Sequence, residues 1–280
     1  KPFWLKDLYG LRWASQMPGS CRQRRRGAAL AVAAALAAAG GGHVVFPLAM
    51  AMTGRRPPTV AWSLPAGDPP ELPGLRVLGG PKQHERVAVL DGFLAPEEIE
   101  AVHALSGDPG VWEVNDRGAE VSYSHQVWRL EGVLRQRSAG LYGRLTSTAW
   151  GVDHQVWQNL LDFAYPEIEY IEYDVEKLGK PGGFGKHTDN DSLVTMVVLL
   201  TDPSEFEGGV NCFRGRPVLK VRLQPGDAVL FHGDQCEHWI TPVESGRRVV
   251  LQMELRRSQD AAKRARSAGQ QRGKGRRSRR

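Results

Sequence analysis

A chain of 280 residues with 41% apolar and 8% aromatic side chains suits one sizeable domain plus appendages, or two small domains. It excludes a polypeptide disordered throughout and a multi-span membrane protein. The formal charge of +6 is unevenly spread: residues 57–255 carry seventeen basic and twenty-nine acidic side chains, net −12, whereas residues 256–280 carry eleven basic and one acidic, net +10. An acidic folded part excludes a polyphosphate backbone as the ligand of its surface as a whole. Three cysteines, Cys21, Cys212 and Cys236, with no Cys-x-x-Cys pair, exclude a zinc ribbon and a disulfide framework and leave room for one Cys212–Cys236 bridge.

Residues 1–16 (KPFWLKDLYGLRWASQ) read as an upstream or fragment leader ahead of Met17. Residues 17–53 join a basic start, MPGSCRQRRR, to an uncharged Ala/Val/Leu-rich run and small residues around Ala49 and Ala51. These are the parts of a secretory signal, cleaved or retained as an anchor, which places the expected location in the endoplasmic reticulum or Golgi lumen. Residues 27–53 are long enough to anchor the chain in a membrane, although Gly40-Gly41-Gly42 and Pro47 interrupt them. An organelle transit peptide is the competing reading.

Residues 57–83 hold seven of the eighteen prolines, so residues 54–83 are expected to be a linker. Order resumes near Glu85, with a strand at Val87–Leu90, a turn at Asp91-Gly92, and an amphipathic helix over LAPEEIEAVHAL with Pro96 at its first position. Val121–Leu130 reads as a strand. Residues 134–165 read as helix, with Leu141, Leu145, Trp150, Trp157, Leu160 and Leu161 as core positions and Pro166 as its stop. The period then changes to two. Ile168–Val175, Leu193–Leu200, Val210–Phe213, Val218–Leu223, Ala228–Phe231, His238–Thr241 and Arg248–Leu255 alternate or run apolar between Gly, Pro, Asp and Asn, which argues for a sandwich or barrel. Residues 256–280 have no apolar face and read as a basic disordered tail, a solvated segment or a tether to an acidic partner.

The chemistry centres on His187-Thr188-Asp189. In an extended strand residues i and i+2 share a face, so both side chains can reach one ion, and His238 opens a later strand that can supply a third ligand. Two imidazoles and a carboxylate on one face leave the other positions of a non-haem iron open. Arg248, ten residues past His238, begins an alternating strand and shares its inward side with Val250 and Gln252. Its guanidinium suits the distal carboxylate of a 2-oxo dicarboxylate. Arg247 has the opposite parity.

The block YDVEKLGKPGGFGKHTDNDSLVTMVVLLTDPSEFEGGVNCF, followed by PGDAVLFHGDQCEHWITPVESGRR, resembles the Fe(II)/2-oxoglutarate dioxygenases of the prolyl 4-hydroxylase type over roughly residues 84–255. The resemblance implies a mainly β, α+β fold built on a double-stranded β-helix, or jelly roll, with helices of residues 95–165 packed on one sheet. It implies His187, Asp189 and His238 as iron ligands, Arg248 as the anchor of the 2-oxoglutarate C5 carboxylate, and Tyr173 as a pocket residue touching the cosubstrate. Fe(II), 2-oxoglutarate, O2 and L-ascorbate as rescuing reductant come with it. Two departures concern the pocket. Leu199 stands where many members have a tyrosine, and arginine stands where collagen-type members often have lysine.

The function so implied is hydroxylation of a peptide or protein, at peptidyl-proline, with release of succinate and CO2, and no nucleic acid at the folded domain. Lysyl or small-molecule hydroxylation, and a jelly-roll pseudoenzyme acting as a binding module, are the alternatives. Trp112, Tyr123, Trp128 and Trp239 are expected to fill core and surface rather than a peptide groove. His232 and Asp234 are expected to be loop and strand-end residues.

Overall fold

The structure is a computed structural model in which residues 60–113, 125–160 and 162–258 are described. The leader, the signal-like stretch with its residues 27–53, and the tail beyond Ser258 lie outside the described residues, as do Tyr123 and Leu161. No described helix is long and apolar enough to cross a membrane. In chain order the elements are β1 (Trp62–Ser63), β2 (Arg76–Gly79), β3 (Arg86–Leu90), α1 (Pro96–Ser106), β4 (Trp112–Glu113), β5 (Gln126–Arg129), α2 (Glu131–Arg137), α3 (Ala139–Val156), β6 (Phe163–Asp174), α4 (Val175–Leu178), β7 (Gly182–His187), β8 (Ser192–Leu199), β9 (Phe206–Gly208), β10 (Asn211–Phe213), β11 (Leu219–Val221), β12 (Ala228–Phe231) and β13 (His238–Arg256).

β13 organises the roll. Its first half, His238 to Gly246, pairs antiparallel with β7, β9 and β10, and β10 continues to β11. Its second half, Arg247 to Arg256, lies between β6 and β8 in a larger sheet of order β2-β3-β12-β8-β13-β6-β5-β4. One strand thus serves two facing sheets, the arrangement of a double-stranded β-helix. The sequence reads as two separate strands, His238–Thr241 and Arg248–Leu255, because polar residues and Gly246 interrupt the alternation. Gly246 stands where the strand changes sheets, at φ +74, and a Cβ there would meet the Glu205 carbonyl oxygen. Only glycine fits so close an approach at that dihedral.

Parity divides the larger sheet into two faces. Val249, Leu251, Met253 and Leu255 point to the helix side, where they join Leu141, Leu145, Ala149 and Val156 of α3 in one apolar cluster. Arg248, Val250, Gln252 and Glu254 point between the sheets. β8 is buried at all eight positions because helices cover one face and the roll's interior covers the other. The helices hold their places through polar ends. Glu98 accepts the Ala95 N–H at 3.0 Å and pairs with Arg144 of α3 at 2.5 Å, while buried Asp153 accepts the N–H groups of Asn159 and Leu160 at 2.9 Å as the chain leaves α3.

Three expectations need correction. The helical stretch ends at Val156, and Pro166 lies inside β6 opposite Leu255, where a ten-residue ladder with β13 outweighs one missing N–H. The expected linker contains β1, which pairs with β6, and β2, which extends the larger sheet beyond β3. Both strands fit into gaps between prolines. β7 and β9 were hidden by their glycines, and β13 supplies the pairing that makes them strands.

The faces of β13 differ in what they cost to change. Leu251→Ala is expected to lower unfolding free energy by about 2–5 kcal/mol, whereas neighbouring Gln252→Ala changes it by less than about 1 kcal/mol. Urea titration of both variants checks this.

Candidate metal centre

His187 ends β7 and His238 begins β13, and the two are register partners across the ladder, with ring centroids 4.2 Å apart. Asp189 does not share the strand of His187, contrary to the sequence expectation. The chain leaves the ladder after His187, and the Asp189 N–H donates to the Gly233 carbonyl at 2.9 Å. The carboxylate nevertheless lies between the imidazoles, with Oδ1 3.3 Å from His187 Nε2 and Oδ2 3.6 Å from His238 Nε2. All candidate ligand atoms of the three residues fall within 4.8 Å of one another.

Each part is held by a neighbour. His187 Nδ1 lies 2.7 Å from the Gly185 carbonyl and His238 Nδ1 lies 2.9 Å from the Cys236 carbonyl. A carbonyl only accepts, so each ring keeps its proton on Nδ1 and turns an Nε2 lone pair inward. Thr195 Oγ1 donates to Asp189 Oδ2 at 2.7 Å. The loop beyond is fastened by Arg256 Nη2, which donates to the Asn190 carbonyl at 2.8 Å, and by the Arg257 N–H on the Asp191 carbonyl at 2.9 Å. Burial pushes the Asp189 carboxyl up, but the adjoining His187 and His238 rings and the Thr195 hydroxyl outweigh it and hold it below the usual range. Burial lowers His238, against the opposing pull of Asp189. The lowered His238 imidazole beside a lowered carboxyl matches what a divalent ion asks of its ligands.

Aromatic rings dry the centre. Phe184 stands edge-on to His187 at 4.0 Å, and Phe231 lies 4.3 Å from His238 with Phe213 behind it at 5.1 Å. His125, against Tyr173 and Phe184, joins this wall, and burial holds its imidazole at about 4.

The three residues open into a cavity of about 290 Å³ between the sheets. On its wall Arg248 is 2% exposed and is the register partner of Tyr173, whose ring lies 5.4 Å from the guanidinium carbon. Arg248 Nη2 donates to Asn211 Oδ1 at 3.2 Å, its Nε meets no acceptor, and among the described residues no carboxylate lies within ion-pair distance. Burial lowers the Arg248 pKa. A guanidinium stays charged at any accessible pH, so the lowering is a cost of burying an unpaired cation rather than a route to losing the proton. The same wall carries Glu169 and Glu254, and burial raises both carboxyls.

The remaining expectations sort by this geometry. Arg247 points outward, as its parity requires, to Glu172 and the Tyr170 hydroxyl. Leu199 is buried in the apolar packing between the sheets. Trp128 packs edge-on to Tyr170 on the helix side, whereas Trp239 lines the cavity and carries the Lys186 ammonium 4.7 Å above its ring, nearer the site than expected. His232 and Asp234 lie outside the cluster of metal ligands. The Cys212–Cys236 bridge does not form: both are buried free thiols, and burial pushes Cys236 up to about 12, which leaves it a protonated and poor ligand. The sequence reading missed Thr195, Asn211 and His125. Thr195 and Asn211 stand at inward positions of β8 and β10, but nothing in their spacing distinguishes them from core polar residues.

Two oriented imidazoles and one ionised carboxylate fit a divalent transition metal with positions left for other ligands, and the unpaired Arg248 in the same cavity fits a carboxylate-bearing molecule. No protein-family model matches the chain, and no curated protein sequence matches it. Among solved structures it is similar to a prolyl hydroxylase of Trichoplax adhaerens in complex with a hypoxia inducible factor peptide fragment (15% identity, TM-score 0.47, 63% of this chain and 86% of that one). It is also similar to a 2OG-Fe(II) oxygenase family oxidoreductase of Burkholderia pseudomallei (15%, TM-score 0.45, 62% and 85%). A third is a Pseudomonas putida prolyl-4-hydroxylase (16%, TM-score 0.40, 61% and 92%). Likenesses this distant leave the chemistry of the site to be read from its own residues.

Asp189→Ala is expected to abolish Mn(II) binding, and Thr195→Val to weaken it about tenfold or more; equilibrium dialysis checks both. The second expectation concerns pH. His125 stays neutral in the fold down to about 4, whereas its ordinary value is 6.5, so the unfolded chain takes up the proton first as pH falls. The stability tied to this group is therefore complete above 6.5 and drains away toward 4, by a few kcal/mol at about pH 4.5. Urea midpoints measured near pH 7 and near pH 4.5 are expected to lie closer together in His125→Gln than in the wild type.

Proposed function

We propose that this chain is an Fe(II)- and 2-oxoglutarate-dependent dioxygenase that hydroxylates a protein substrate, at peptidyl-proline, with release of succinate and CO2. One observation carries the reading: a buried guanidinium with no carboxylate partner among the described residues shares a cavity with a two-histidine, one-carboxylate set. The set calls for a metal with open positions and the guanidinium for an anion beside it. A 2-oxo dicarboxylate answers both needs, since one end can reach the metal and the other the arginine.

Bound iron(II) would supply oxygen activation and 2-oxoglutarate the reducing equivalents. The chain supplies position. His187, Asp189 and His238 would hold the ion from one side, with rings fixed by the Gly185 and Cys236 carbonyls. Arg248 would hold the distal carboxylate, with the Tyr173 ring beside it and Ile171, Val197 and Val250 excluding water from the same cavity. In so dry a surrounding the arginine's charge acts at close to full strength.

Two further features bear on the substrate. The folded part's net charge of −12 over residues 57–255 suits a neutral or basic peptide and leaves lysyl hydroxylation as the second reading. The complete ligand set and the unpaired Arg248 argue against a binding module that has lost its chemistry. The signal-like residues 17–53 support action in the secretory lumen, with ascorbate as reductant, and the basic tail suits an acidic partner there.

Purified protein given Fe(II), 2-oxoglutarate and ascorbate is expected to release succinate and to add the mass of one oxygen to a proline-containing peptide; His187→Ala is expected to abolish both. Oxygen appearing on lysine in a mixed peptide panel would select the second reading. No succinate and no bound iron would leave the binding module.

A further inference from the structure

The turn that delivers Asp189 to the imidazoles carries a second chemical signal. The chain has four asparagines, and only Asn190-Asp191-Ser192 sets a hydroxyl residue two places after one, with no proline between. Asn-x-Ser is the acceptor pattern for an N-linked glycan in a chain that enters the secretory lumen. The fold puts this acceptor where a sugar can stand. The Ser192 N–H donates to the Asp189 carbonyl at 3.1 Å, which closes a turn with Asn190 and Asp191 at its tip, and Asp191 takes φ +62. Asn190 is exposed, and Arg256 grips its backbone carbonyl rather than its carboxamide. Ser192, by contrast, is fully buried, with its Oγ 2.9 Å from the Thr195 hydroxyl. Recognition of the serine must therefore precede folding, whereas the attached sugar stays outside after it.

On the reading of residues 17–53 as a secretory signal, we infer that Asn190 is an N-glycan acceptor whose glycan stands over the mouth of the metal-centre cavity. The donor is an oligosaccharide carried on a lipid diphosphate. Asn190 Nδ2 bonds to the anomeric carbon of the first sugar, the bond from that carbon to the diphosphate oxygen breaks, and the amide gives up one proton as the lipid diphosphate leaves. Asn190 lines the same cavity as His187, Thr188 and Trp239. A branched oligosaccharide is far larger than a cavity of about 290 Å³, so it lies across the lip instead of entering. Ions and a small 2-oxo acid pass beneath such a cover. A folded protein does not, which narrows the substrate to a flexible, extended segment.

Translation of the full chain in the presence of microsomes tests the acceptor. The expected product is protected from added protease and heavier by one oligosaccharide, a shift that is absent in Asn190→Gln and removed by an endoglycosidase that leaves a single sugar. Asn190→Gln keeps the backbone carbonyl that Arg256 holds, whereas Ser192→Ala would also take a partner from Thr195. A protected chain without the shift overturns this inference alone; an unprotected chain overturns the secretory reading and this inference with it. The cover is tested on the glycosylated and the trimmed protein. Their Mn(II) affinities are expected to agree within about twofold, while oxygen addition to a proline-containing peptide fused at both ends to folded domains is about tenfold slower, or more, in the glycosylated form. Equal rates on the fused peptide overturn the cover. No succinate from either form overturns the proposed function and the cover together, and the mass shift then decides the acceptor by itself.

Discussion

A buried guanidinium cannot give up its charge, and among the described residues Arg248 has no acid to share it with. Arg248 therefore places a constraint on everything around it. Its position midway along β13 requires that strand to cross from one sheet to the other, so that residues ten apart, His238 and Arg248, look into one cavity. The crossing requires Gly246, and the two flanks of the strand require the short partners β7, β9 and β10 on one side and the long ladders of β6 and β8 on the other. The helices then serve a single purpose for the site: they cover the outer face of the larger sheet, so that its inner face can afford polar residues.

This division of labour is visible in how the two faces of β13 are composed. The helix-facing side is wholly apolar between Val249 and Leu255 and carries the stability. The inward side, Arg248 to Arg256, alternates charge, amide and one valine, a composition that would not fold unless each polar group found a partner or faced a cavity. Most find one: Gln252 donates to Glu254, and Arg256 reaches Glu167. Arg248 stands out because its partner is a neutral amide, which orients a charge without cancelling it. A neutral partner keeps the guanidinium available, as an ionised one would not.

The parts of this arrangement that follow a short period were legible in the sequence. The alternation of β13 places Arg248, Val250 and Gln252 inward and Arg247 outward, and the spacing of His187, Asp189 and His238 points to one ion. What failed to show was whatever depends on partners distant in the chain. β7 is read as a strand only because His187 faces His238, and β1 and β2 only because β6 and β3 offer them edges. Asp189 reaches the two imidazoles from a turn rather than a strand, since its position is set by a hydrogen bond to Gly233, forty-four residues on. Thr195 and Asn211 are unremarkable letters in apolar runs, and their roles appear only when β8 and β10 bring them beside a carboxylate and a guanidinium.

The end of β13 carries one more implication. The last apolar residue of the core is Leu255, which makes it the natural place to draw the edge of the folded unit from sequence. The chain, however, spends its next two residues on the loop that bears Asp189: the Arg256 side chain grips Asn190 and the Arg257 backbone grips Asp191. A protein trimmed at Leu255 would keep the whole apolar core yet release the clasp on the loop that bears Asp189. The functional boundary of this domain is thus set by two loop carbonyls and lies past the point where hydrophobicity stops.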